Sequence, residues 1–395
     1  MLSSNIVYII PIFEVMFPEK LHKKLNQRVG SKSLRNLVEQ SSLVDFSSND
    51  YLGFAKSEAI FKQTHKYLVD NGFLLNGATG SRLLTGNHQL YIQVENLLSQ
   101  KHHTEALLYN SGYDANLGFF SCVPQRHDVI LYDEFSHASI RDGIKLSLAK
   151  AYAFKHNDLA DLEKKLLSVR TQSRANDTEV YIVTESVFSM DGDSPDLVET
   201  LQISKKYNAH LIVDEAHAIG VFNFGLVQEL SIEKEVFARI ITFGKALGCH
   251  GAAILGSKQL KNYLINFSRA FIYTTGLSPH SVATLQTVYN CLIASNQTQQ
   301  ELHDVITYFK TSCKTLGLES RFIESHSAIQ SCIIPGTIAV KHTAKLLQDN
   351  GFDVKPILSP TVPEGQERLR FCIHSYNTHK EIDEVLNLLS TFVNA

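Results

Sequence analysis

The chain has 395 residues, of which 44% are hydrophobic and 19% are charged, and its formal net charge is −3. This balance is that of an ordinary globular protein with room for a large core and two domains. Lysine and arginine are scattered, so neither a nucleic-acid partner nor a membrane partner is expected. The six cysteines show no CxxC spacing and no clustering with histidine, which predicts reduced thiols in a cytoplasmic protein without a metal site.

The first fifteen residues contain one short apolar stretch, residues 6–13, which Pro11 interrupts. The stretch is too short to span a bilayer, and it has neither the basic segment nor the cleavage site of a signal peptide. We expect residues 1–15 to be a start-site extension, with Met16 as the natural first residue. A short arm packed on the protein is the alternative.

Strand-like and helix-like segments alternate through the middle of the chain. In chain order they are a strand at 105–110, a helix from 113, a strand at 128–133, a helix at 139–148, a strand at 150–154, a helix at 157–167, and strands at 179–185 and 209–215. The last two strands are nearly continuous apolar runs, as in strands that helices cover on both faces. The alternation predicts an α/β domain built on a mostly parallel sheet.

Beyond residue 279 the pattern changes. A long helix is predicted at about 280–317, followed by shorter strands at 328–334 and 368–373 and by a final amphipathic helix at 378–393. This is typical of a smaller α+β domain. We therefore divide the chain into an N-terminal segment, a large domain and a small domain, with the first packing against the third: residues 16–59, 60–285 and 286–395.

Lys245 lies in a glycine-lined turn between two apolar segments, where an exposed lysine would be unusual. The turn also contains Thr242, Gly244 and Gly248. Burial beside apolar or cationic groups lowers the pKa of an amine and favours Schiff-base chemistry. Lys245 is therefore a candidate for covalent attachment of an aldehyde.

Asp214 ends an apolar strand thirty-one residues before Lys245, and His217 follows three residues later. In open α/β sheets, ligands bind at the carboxyl ends of strands. Each residue alone has a structural explanation, a helix cap for Asp214 and a satisfied core histidine for His217. A lysine and an acid in these positions nevertheless suggest pyridoxal phosphate, whose ring nitrogen pairs with an acidic residue.

Other turns after predicted strands are also candidate ligand contacts. Residues 111–113 (SGY) open a helix, whose unpaired N–H groups can bind phosphate. His137 could stack on a planar cofactor, or its segment could simply be a helix cap made by a neighbouring serine. Residues 191–193 are explained by turn chemistry and lack the spacing of a calcium loop. Residues 77–88 are glycine-rich without a P-loop ending, and we expect a substrate or interface loop there.

With these residues in hand, the chain resembles the α-oxoamine synthases, a branch of the fold-type I (aspartate aminotransferase-like) pyridoxal phosphate enzymes. The resemblance extends over roughly residues 20–395. It is carried by six motifs in the expected order: residues 46–53 (FSSNDYLG), 110–113 (NSGY), 136–139 (SHAS), 185–193 (ESVFSMDGD), 214–217 (DEAH) and 242–245 (TFGK). It implies a large, mostly parallel seven-stranded sheet domain with helices on both faces, plus a smaller α+β domain.

The resemblance also implies roles around the cofactor ring. Lys245 would carry the cofactor as a Schiff base and later move the α-proton of an amino acid. Asp214 would keep the pyridine nitrogen protonated, and His137 would stack on the ring face. His217 and Ser189 would lie beside the ring, with His217 on the phenolic oxygen.

The phosphate contacts implied by the resemblance come from two places. Gly112, Tyr113 and Thr242 would hold the phosphate within one subunit. Thr274 and Thr275 would be lent by a second subunit, so that a homodimer with shared active sites is expected.

For the substrates, the resemblance implies a carboxylate clamp at Arg370, for which a bidentate fork is suited. Arg35 and Asn49 match positions near the acyl-thioester site. The implied reaction is a decarboxylative condensation of a small amino acid, alanine above all, with an acyl thioester. The donor would be a seven-carbon dicarboxylic acid carried by coenzyme A or by acyl carrier protein.

Several alternatives remain open. Relatives that use glycine or serine share the same catalytic residues. A pyridoxal phosphate enzyme without the condensation step, such as an aminotransferase or a lyase, is a second hypothesis. A catalytically silent subunit is a third, against which the intact set of Lys245, Asp214 and His217 argues.

Overall fold

The computed structural model describes residues 17–31, 33–35, 37, 42–172 and 178–394. The expected start-site extension at 1–15 and Met16 lie outside these residues. By its internal contacts the chain divides into two units, residues 1–42 and 43–395. In the first unit, helix α1 (Glu19–Gly30) has no buried residue. The predicted boundaries at 59 and 285 stay predictions.

The described strands are short, as is usual for a sheet covered by helices. They are β1 (Val44–Asp45), β2 (Glu105–Tyr109), β3 (Val129–Asp133), β4 (Lys150–Phe154), β5 (Val180–Glu185), β6 (His210–Asp214), β7 (Ala238–Thr242), β8 (Ala252–Gly256), β9 (Ile329–Ile333), β10 (Phe352–Asp353), β11 (Lys355–Ile357) and β12 (Arg368–Cys372). The predicted strands of the chain's middle are confirmed, with ends that differ by at most one residue.

Helices separate most of these strands. After α1 they are α2 (Glu58–Asp70), α3 (Gln89–His102), α4 (Gly112–Phe120), α5 (Ala138–Leu146), α6 (Leu159–Gln172), α7 (Leu197–Lys206), α8 (Leu226–Glu229), α9 (Lys258–Phe267), α10 (Arg269–Ile272), α11 (Pro279–Ala294), α12 (Gln297–Thr315), α13 (Thr337–Asp349) and α14 (His379–Asn394). Two 3₁₀ turns lie at Phe54–Lys56 and Glu319–Arg321. None of the described helices is both long enough and apolar enough to cross a bilayer.

Seven strands form the main sheet, in the order β2-β8-β7-β6-β5-β3-β4. All run parallel except β8, which is antiparallel to both of its neighbours. Alternate side chains of β5 enter different cores: Tyr181 and Val183 pack with residues of α4 and α5, whereas Val180 and Ile182 pack with residues of α6 and α7. The sheet is therefore covered on both faces, and the predicted α/β fold is confirmed.

The carboxyl ends of the parallel strands bring distant segments to one edge of the sheet. Strands β3, β5, β6 and β7 end at Asp133, Glu185, Asp214 and Thr242. Because β8 runs the other way, its first residue, Ala252, pairs with both Thr242 and Tyr109. The segment after β2 therefore starts beside the end of β7, which is the edge where ligands bind in open α/β sheets.

The C-terminal part contains an antiparallel sheet in the order β11-β12-β9, with α13 and α14 packed nearby. The predicted strands at 328–334 and 368–373 and the final helix are confirmed as β9, β12 and α14. The single long helix predicted at 280–317 is wrong. The structure has two helices, α11 and α12, because Ser295 is extended and its hydroxyl accepts the N–H of Gln297 at 3.1 Å. Serine favours such caps over helix interiors.

The turn after β5 is fastened to this smaller sheet. The hydroxyls of Ser325 and Ser327 donate to the carbonyl of Gly192 at 2.8 and 2.9 Å, and Arg368 pairs with Asp191 in a buried contact. Gly192 has a φ of +79°, and a Cβ there would lie 2.2 Å from the carbonyl oxygen of Ile329. Only glycine fits this contact.

The cysteines agree with their prediction. All six are unpaired, and three of them are buried. Burial raises the pKa of Cys332 and Cys249 to about 12, so both thiols stay protonated near neutral pH.

Candidate active site

Lys245 lies in the turn between β7 and β8, where the backbone is packed tightly. Gly248 has a φ of +60°, and a Cβ there would lie 2.2 Å from the backbone nitrogen of Ala55. This fixes the turn against residues 54 and 55. The lysine side chain is half-buried, and its Nζ lies 2.7 Å from Nε2 of His217. The predicted pairing of the lysine with the segment after β6 is therefore present.

His217 connects Lys245 to a short chain of hydrogen bonds. When Lys245 donates to Nε2, the proton of the neutral imidazole is on Nδ1, which donates to the Tyr51 hydroxyl at 2.8 Å. Tyr51 in turn donates to Oδ1 of Asn49 at 3.1 Å. Burial, with Lys245 as a smaller cause, lowers the pKa of His217 well below its usual value. The imidazole is therefore neutral and accepts from the lysine.

The electrostatics of this edge favour a reactive amine. Burial lowers the pKa of Lys245 to about 8, although Asp214, and Glu185 when it is ionised, oppose the shift. Burial, together with Asp214, raises the pKa of Glu185 to about 8. Near neutral pH the site therefore holds a carboxyl group that is largely protonated and a lysine with an appreciable neutral fraction, as a Schiff-base lysine requires.

Asp214 is buried and both of its oxygens accept hydrogen bonds. The side-chain amide of Asn116 donates to Oδ2 at 2.8 Å, and the N–H of Ala216 donates to Oδ1 at 2.9 Å. Asn116 also donates to the Ser139 hydroxyl at 3.0 Å, and that hydroxyl donates to Nδ1 of His137 at 2.7 Å. The predicted pyridine partner and the predicted stacking residue are thus joined through Asn116 and Ser139.

His137 is also the cap of α5. Its Nδ1 accepts the backbone N–H of Ser139 at 3.2 Å. A helix cap is present, but the His137 imidazole makes it and not a neighbouring serine, as the alternative had it. The Ser139 hydroxyl bonds Asn116 and His137. With Nδ1 accepting, the proton is on Nε2. His137 is exposed, which is compatible with stacking on a planar ligand.

Gly112 and Tyr113 begin α4 next to the end of β7. Ser111 caps this helix by accepting the N–H of Asp114 at 3.0 Å. A Cβ on Gly112 would lie 3.4 Å from the side chain of Thr242, so the helix start and Thr242 are adjacent. Within the described residues, the N–H groups of Gly112 and Tyr113 donate to no protein group. Such donors at a helix start form a phosphate site.

Arg370 on β12 reaches the same region and is buried. Its Nη2 donates to Oδ1 of Asn49 at 2.9 Å and approaches the Tyr51 hydroxyl at 3.4 Å. Its charge helps to lower the pKa of both Lys245 and His217, so the guanidinium lies near them. Its Nε is buried and has no hydrogen-bond partner among the described residues. An orphaned donor of this kind is suited to an anionic ligand.

The remaining predicted residues are Ser189, Thr274, Thr275 and Arg35. Ser189 is half-buried in the turn after β5 and lines a cavity there. Thr274 and Thr275 lie beside Asn110, whose amide donates to Oγ1 of Thr274 at 3.0 Å and to the carbonyl of Thr275 at 2.7 Å. Arg35 is exposed in the N-terminal unit, and its role stays a prediction.

The donor set fits pyridoxal phosphate. An amine with a lowered pKa, a buried carboxylate fixed by two hydrogen bonds and an unpaired helix start match the aldehyde, the ring nitrogen and the phosphate of this cofactor. Sequence reasoning gave no role to Tyr51, Asn116 and Glu185. Two of them lie within recognised motifs, residues 46–53 and 185–193. Asn116 follows its motif by three residues and gave no separate signal.

Comparison with known proteins agrees with this site. Residues 41–389 match the family described as aminotransferase class I and II. An 8-amino-7-oxononanoate synthase of Emericella nidulans is 38% identical, with 95% of each chain covered. The crystal structure of an 8-amino-7-oxononanoate synthase from Francisella tularensis has a TM-score of 0.75 at 30% identity, covering 90% of this chain and 99% of that one. A serine palmitoyltransferase from S. paucimobilis, with bound PLP and myriocin, has a TM-score of 0.84 at 26% identity, covering 95% and 97%.

The chain therefore belongs to the aminotransferase class I and II family. The predicted resemblance to the α-oxoamine synthases, above all to 8-amino-7-oxononanoate synthases, is confirmed. Pyridoxal phosphate is its cofactor, and its class is that of the pyridoxal phosphate-dependent acyltransferases.

Proposed function

We propose that the protein condenses L-alanine with a pimeloyl thioester, on coenzyme A or acyl carrier protein. The products are 8-amino-7-oxononanoate, carbon dioxide and the free thiol, and the reaction belongs to biotin biosynthesis. The observation that carries the chemistry is the lowered pKa of Lys245 at the same sheet edge as the doubly hydrogen-bonded Asp214. The relatives named above support the choice of substrates.

When bound, pyridoxal phosphate supplies an electron sink for the pair of electrons left at the α-carbon of an amino acid. Lys245 would hold the cofactor aldehyde and afterwards accept the α-proton on Nζ. Asp214 would keep a proton on the ring nitrogen, because Asn116 and Ala216 hold its oxygens in place. His137 would cover the ring face, while His217 and Ser189 would contact the ring edge, His217 at the phenolic oxygen.

Gly112, Tyr113 and Thr242 would bind the phosphate from within the chain. The resemblance implies that Thr274 and Thr275 reach the phosphate of a second copy; within one chain they lie beside Asn110, two residues before the start of α4. From the resemblance we infer a cytoplasmic homodimer with shared active sites.

Arg370 would bind the carboxylate of the amino acid. Its buried Nε without a partner supports this role, because a carboxylate accepts two parallel N–H groups from one guanidinium. Oδ1 of Asn49 accepts hydrogen bonds from both Arg370 and Tyr51. Asn49 would therefore orient the arginine next to the acyl donor. From the resemblance alone, Arg35 is proposed as a contact of the acyl thioester.

A second candidate is another α-oxoamine synthase, similar to glycine C-acetyltransferase or to serine palmitoyltransferase. The similarity of the fold to serine palmitoyltransferases favours it, with TM-scores of 0.84 and 0.85. Among the solved structures, the sequence identity is higher to the 8-amino-7-oxononanoate synthase, 30% against 26%, which supports the first proposal.

The test is a matrix of alanine, glycine and serine against pimeloyl, acetyl and palmitoyl thioesters, scored by free thiol. We expect alanine with the pimeloyl donor to give the highest kcat/KM. Lys245→Ala should lower that rate about 10³-fold or more, because the proton-transfer group is lost. Lys258→Ala, which removes an exposed lysine at the start of α9, serves as the matched control.

Two results would overturn parts of this proposal. A preference for glycine or serine would move the protein to another branch of the α-oxoamine synthases. Borohydride treatment of the cofactor-loaded protein should fix the cofactor to Lys245, as peptide mapping would show. Labelling at another lysine would remove the proposed role of Lys245.

A further inference from the structure

A cavity of about 280 Å³ opens beside Ser189 at the carboxyl edge of the main sheet. It is lined by the turns after β3 and β5 and by the loop at 359–363. Its apolar lining comes from Phe135, Phe188, Met190, Pro360, Val362 and Pro363. The size and the apolar lining are those of a small-molecule subsite.

Arg141 also lines this cavity. It lies on α5 four residues after His137, and its backbone N–H bonds the His137 carbonyl at 3.2 Å. One helical turn, about 5.4 Å along the axis, therefore separates it from the residue proposed to cover the cofactor ring. An anion held by Arg141 would belong to a molecule that extends away from the reacting carbon.

The guanidinium of Arg141 makes no hydrogen bond or ion pair with any described residue. The neighbouring Asp142 is already engaged, by the Tyr113 hydroxyl at 2.7 Å and by Lys145 at 3.0 Å. Glu134, which lines the cavity, accepts the backbone N–H of His156 at 3.0 Å.

The second acid of the cavity lining, Asp191, is paired with Arg368. Arg141 is therefore a cation of the cavity lining with which no described carboxylate forms an ion pair. This free charge beside apolar walls matches a ligand with an apolar chain and an anionic group.

We propose that Arg141 binds an anionic group of the acyl donor while the acyl chain or the carrier arm occupies this cavity. The proposal rests on the proposed function, whose product has a carboxylate at the far end of an apolar chain. Two groups share the required chemistry, the terminal carboxylate of a dicarboxylic donor and a phosphate of the carrier. A guanidinium binds either one through two parallel N–H groups.

The experiment separates these two groups by changing one at a time. Pimeloyl and heptanoyl donors differ only in the terminal carboxylate, and each is prepared on coenzyme A and on N-acetylcysteamine, which has no phosphate. KM and kcat are measured with alanine for the wild type, Arg141→Gln and Arg141→Lys. Arg126→Gln is the matched control, because Arg126 is exposed, has no described partner and lies before β3, at the opposite end of that strand.

We expect Arg141→Gln to raise KM about 10-fold or more for donors that carry the recognised anion, with kcat little changed, because a charged hydrogen-bond partner is lost. A rise confined to pimeloyl donors on both carriers assigns the site to the terminal carboxylate. A rise confined to coenzyme A donors with both acyl groups assigns it to the phosphate. Arg141→Lys should give a smaller rise in either case, since it keeps the charge.

Direct binding decides the question without turnover. Calorimetry on the cofactor-loaded protein compares pimelate, heptanoate and coenzyme A, with the wild type and Arg141→Gln. Equal KM and equal affinity in the two proteins for every probe would overturn the proposal. Failure of the proposed function looks different: the wild type would release no thiol with alanine, while the calorimetric comparison would still decide the role of Arg141.

Discussion

Asn116 links the two groups that are proposed to position the cofactor ring, Asp214 directly and His137 through Ser139. Its amide donates to Asp214 at 2.8 Å and to Ser139 at 3.0 Å, and Ser139 passes the connection on to His137. Both hydrogens of one amide are thus used, and they fix the carboxylate and the imidazole relative to each other. Groups that support functional side chains in this way keep them in productive geometry before the ligand arrives.

Asn116→Ala should weaken cofactor binding about 10-fold or more, because Asp214 loses a charged hydrogen bond. It should also shift the pH midpoint of the cofactor's visible absorbance band, since the carboxylate that is proposed to pair with the ring nitrogen would lose one of its two hydrogen bonds. Titration with pyridoxal phosphate and a pH series of spectra measure both effects. Ser139→Ala is the comparison, because it removes only the connection to His137. An unchanged midpoint in Asn116→Ala would contradict a positioning role.

The positions of some site residues could be predicted from the sequence, and those of others could not. Lys245, Asp214 and His217 follow buried strands within recognisable motifs, so their positions at the sheet edge could be predicted. Tyr51 bonds a residue 166 positions away, and Asn116 bonds one 98 positions away. Such contacts depend on how strands are ordered in space, which the local pattern does not encode.

At the scale of elements, His156 connects the loops that follow β3 and β5. Its Nδ1 lies 2.9 Å from Asp133 and its Nε2 lies 2.8 Å from Asp193. Its ring stacks on Phe135 at 4.3 Å and meets the edge of Phe188 at 4.5 Å. Burial alone would lower the pKa of His156, but the hydrogen bonds with the two carboxylates outweigh burial and raise it to about 10. A charged imidazole therefore holds together the two loops that line the cavity beside Ser189.

His156→Gln should lower the free energy of unfolding by about 1.5–3 kcal/mol near pH 6, because two charged hydrogen bonds are lost. The folded pKa of about 10 exceeds the unfolded value of about 6.5, so this stabilisation is complete below pH 6.5 and is lost as the pH rises through 10. Urea unfolding at several pH values should show the two proteins converging toward pH 10. His210→Gln, which removes a partly exposed histidine paired with Glu179, should cost less than about 1 kcal/mol. A constant difference across the pH range would count against the charged imidazole.

Element types were predicted well because apolar periodicity survives in a buried sheet. The strand runs at 179–185 and 209–215 became β5 and β6, since side chains on both faces of each strand are buried. The break between α11 and α12 was missed, because a single serine and its hydroxyl decide it and the apolar spacing continues on both sides. Local capping chemistry there overrides the longer pattern.

For the whole molecule, cofactor binding and stability should be linked. The proposed ligand groups come from β6, β7, α4 and the turns after β3 and β5, so a bound cofactor ties several elements to the folded state. A ligand at 100 times its Kd stabilises the folded state by about 2.7 kcal/mol. We expect pyridoxal phosphate to raise Tm by several degrees in the wild type and by less in Lys245→Ala, where the covalent link is lost. Equal shifts in calorimetric scans of the two proteins would contradict that link.

The class of fold followed from the alternation of strands and helices, whereas the order of strands did not. Strand β8 lies between β2 and β7 and runs antiparallel to both. No feature of its short sequence distinguishes it from the strands that run parallel to one another. Its position matters, because it places the start of α4 beside Thr242. Strand order is decided by crossover connections across the whole sheet, which a reading along the chain cannot supply.

The close contact between Gly192 and the carbonyl of Ile329 limits how the turn after β5 can be redesigned. Arg368 and Arg370 lie two positions apart on β12. One strand therefore both pairs with Asp191 and carries the arginine that is proposed to bind the substrate carboxylate. An insertion in 189–193 is expected to disturb the Asp191–Arg368 pair and, through β12, the position of Arg370. The segment 359–363 lines the same cavity and takes no part in these contacts. Substitutions meant to change substrate preference are therefore better placed there.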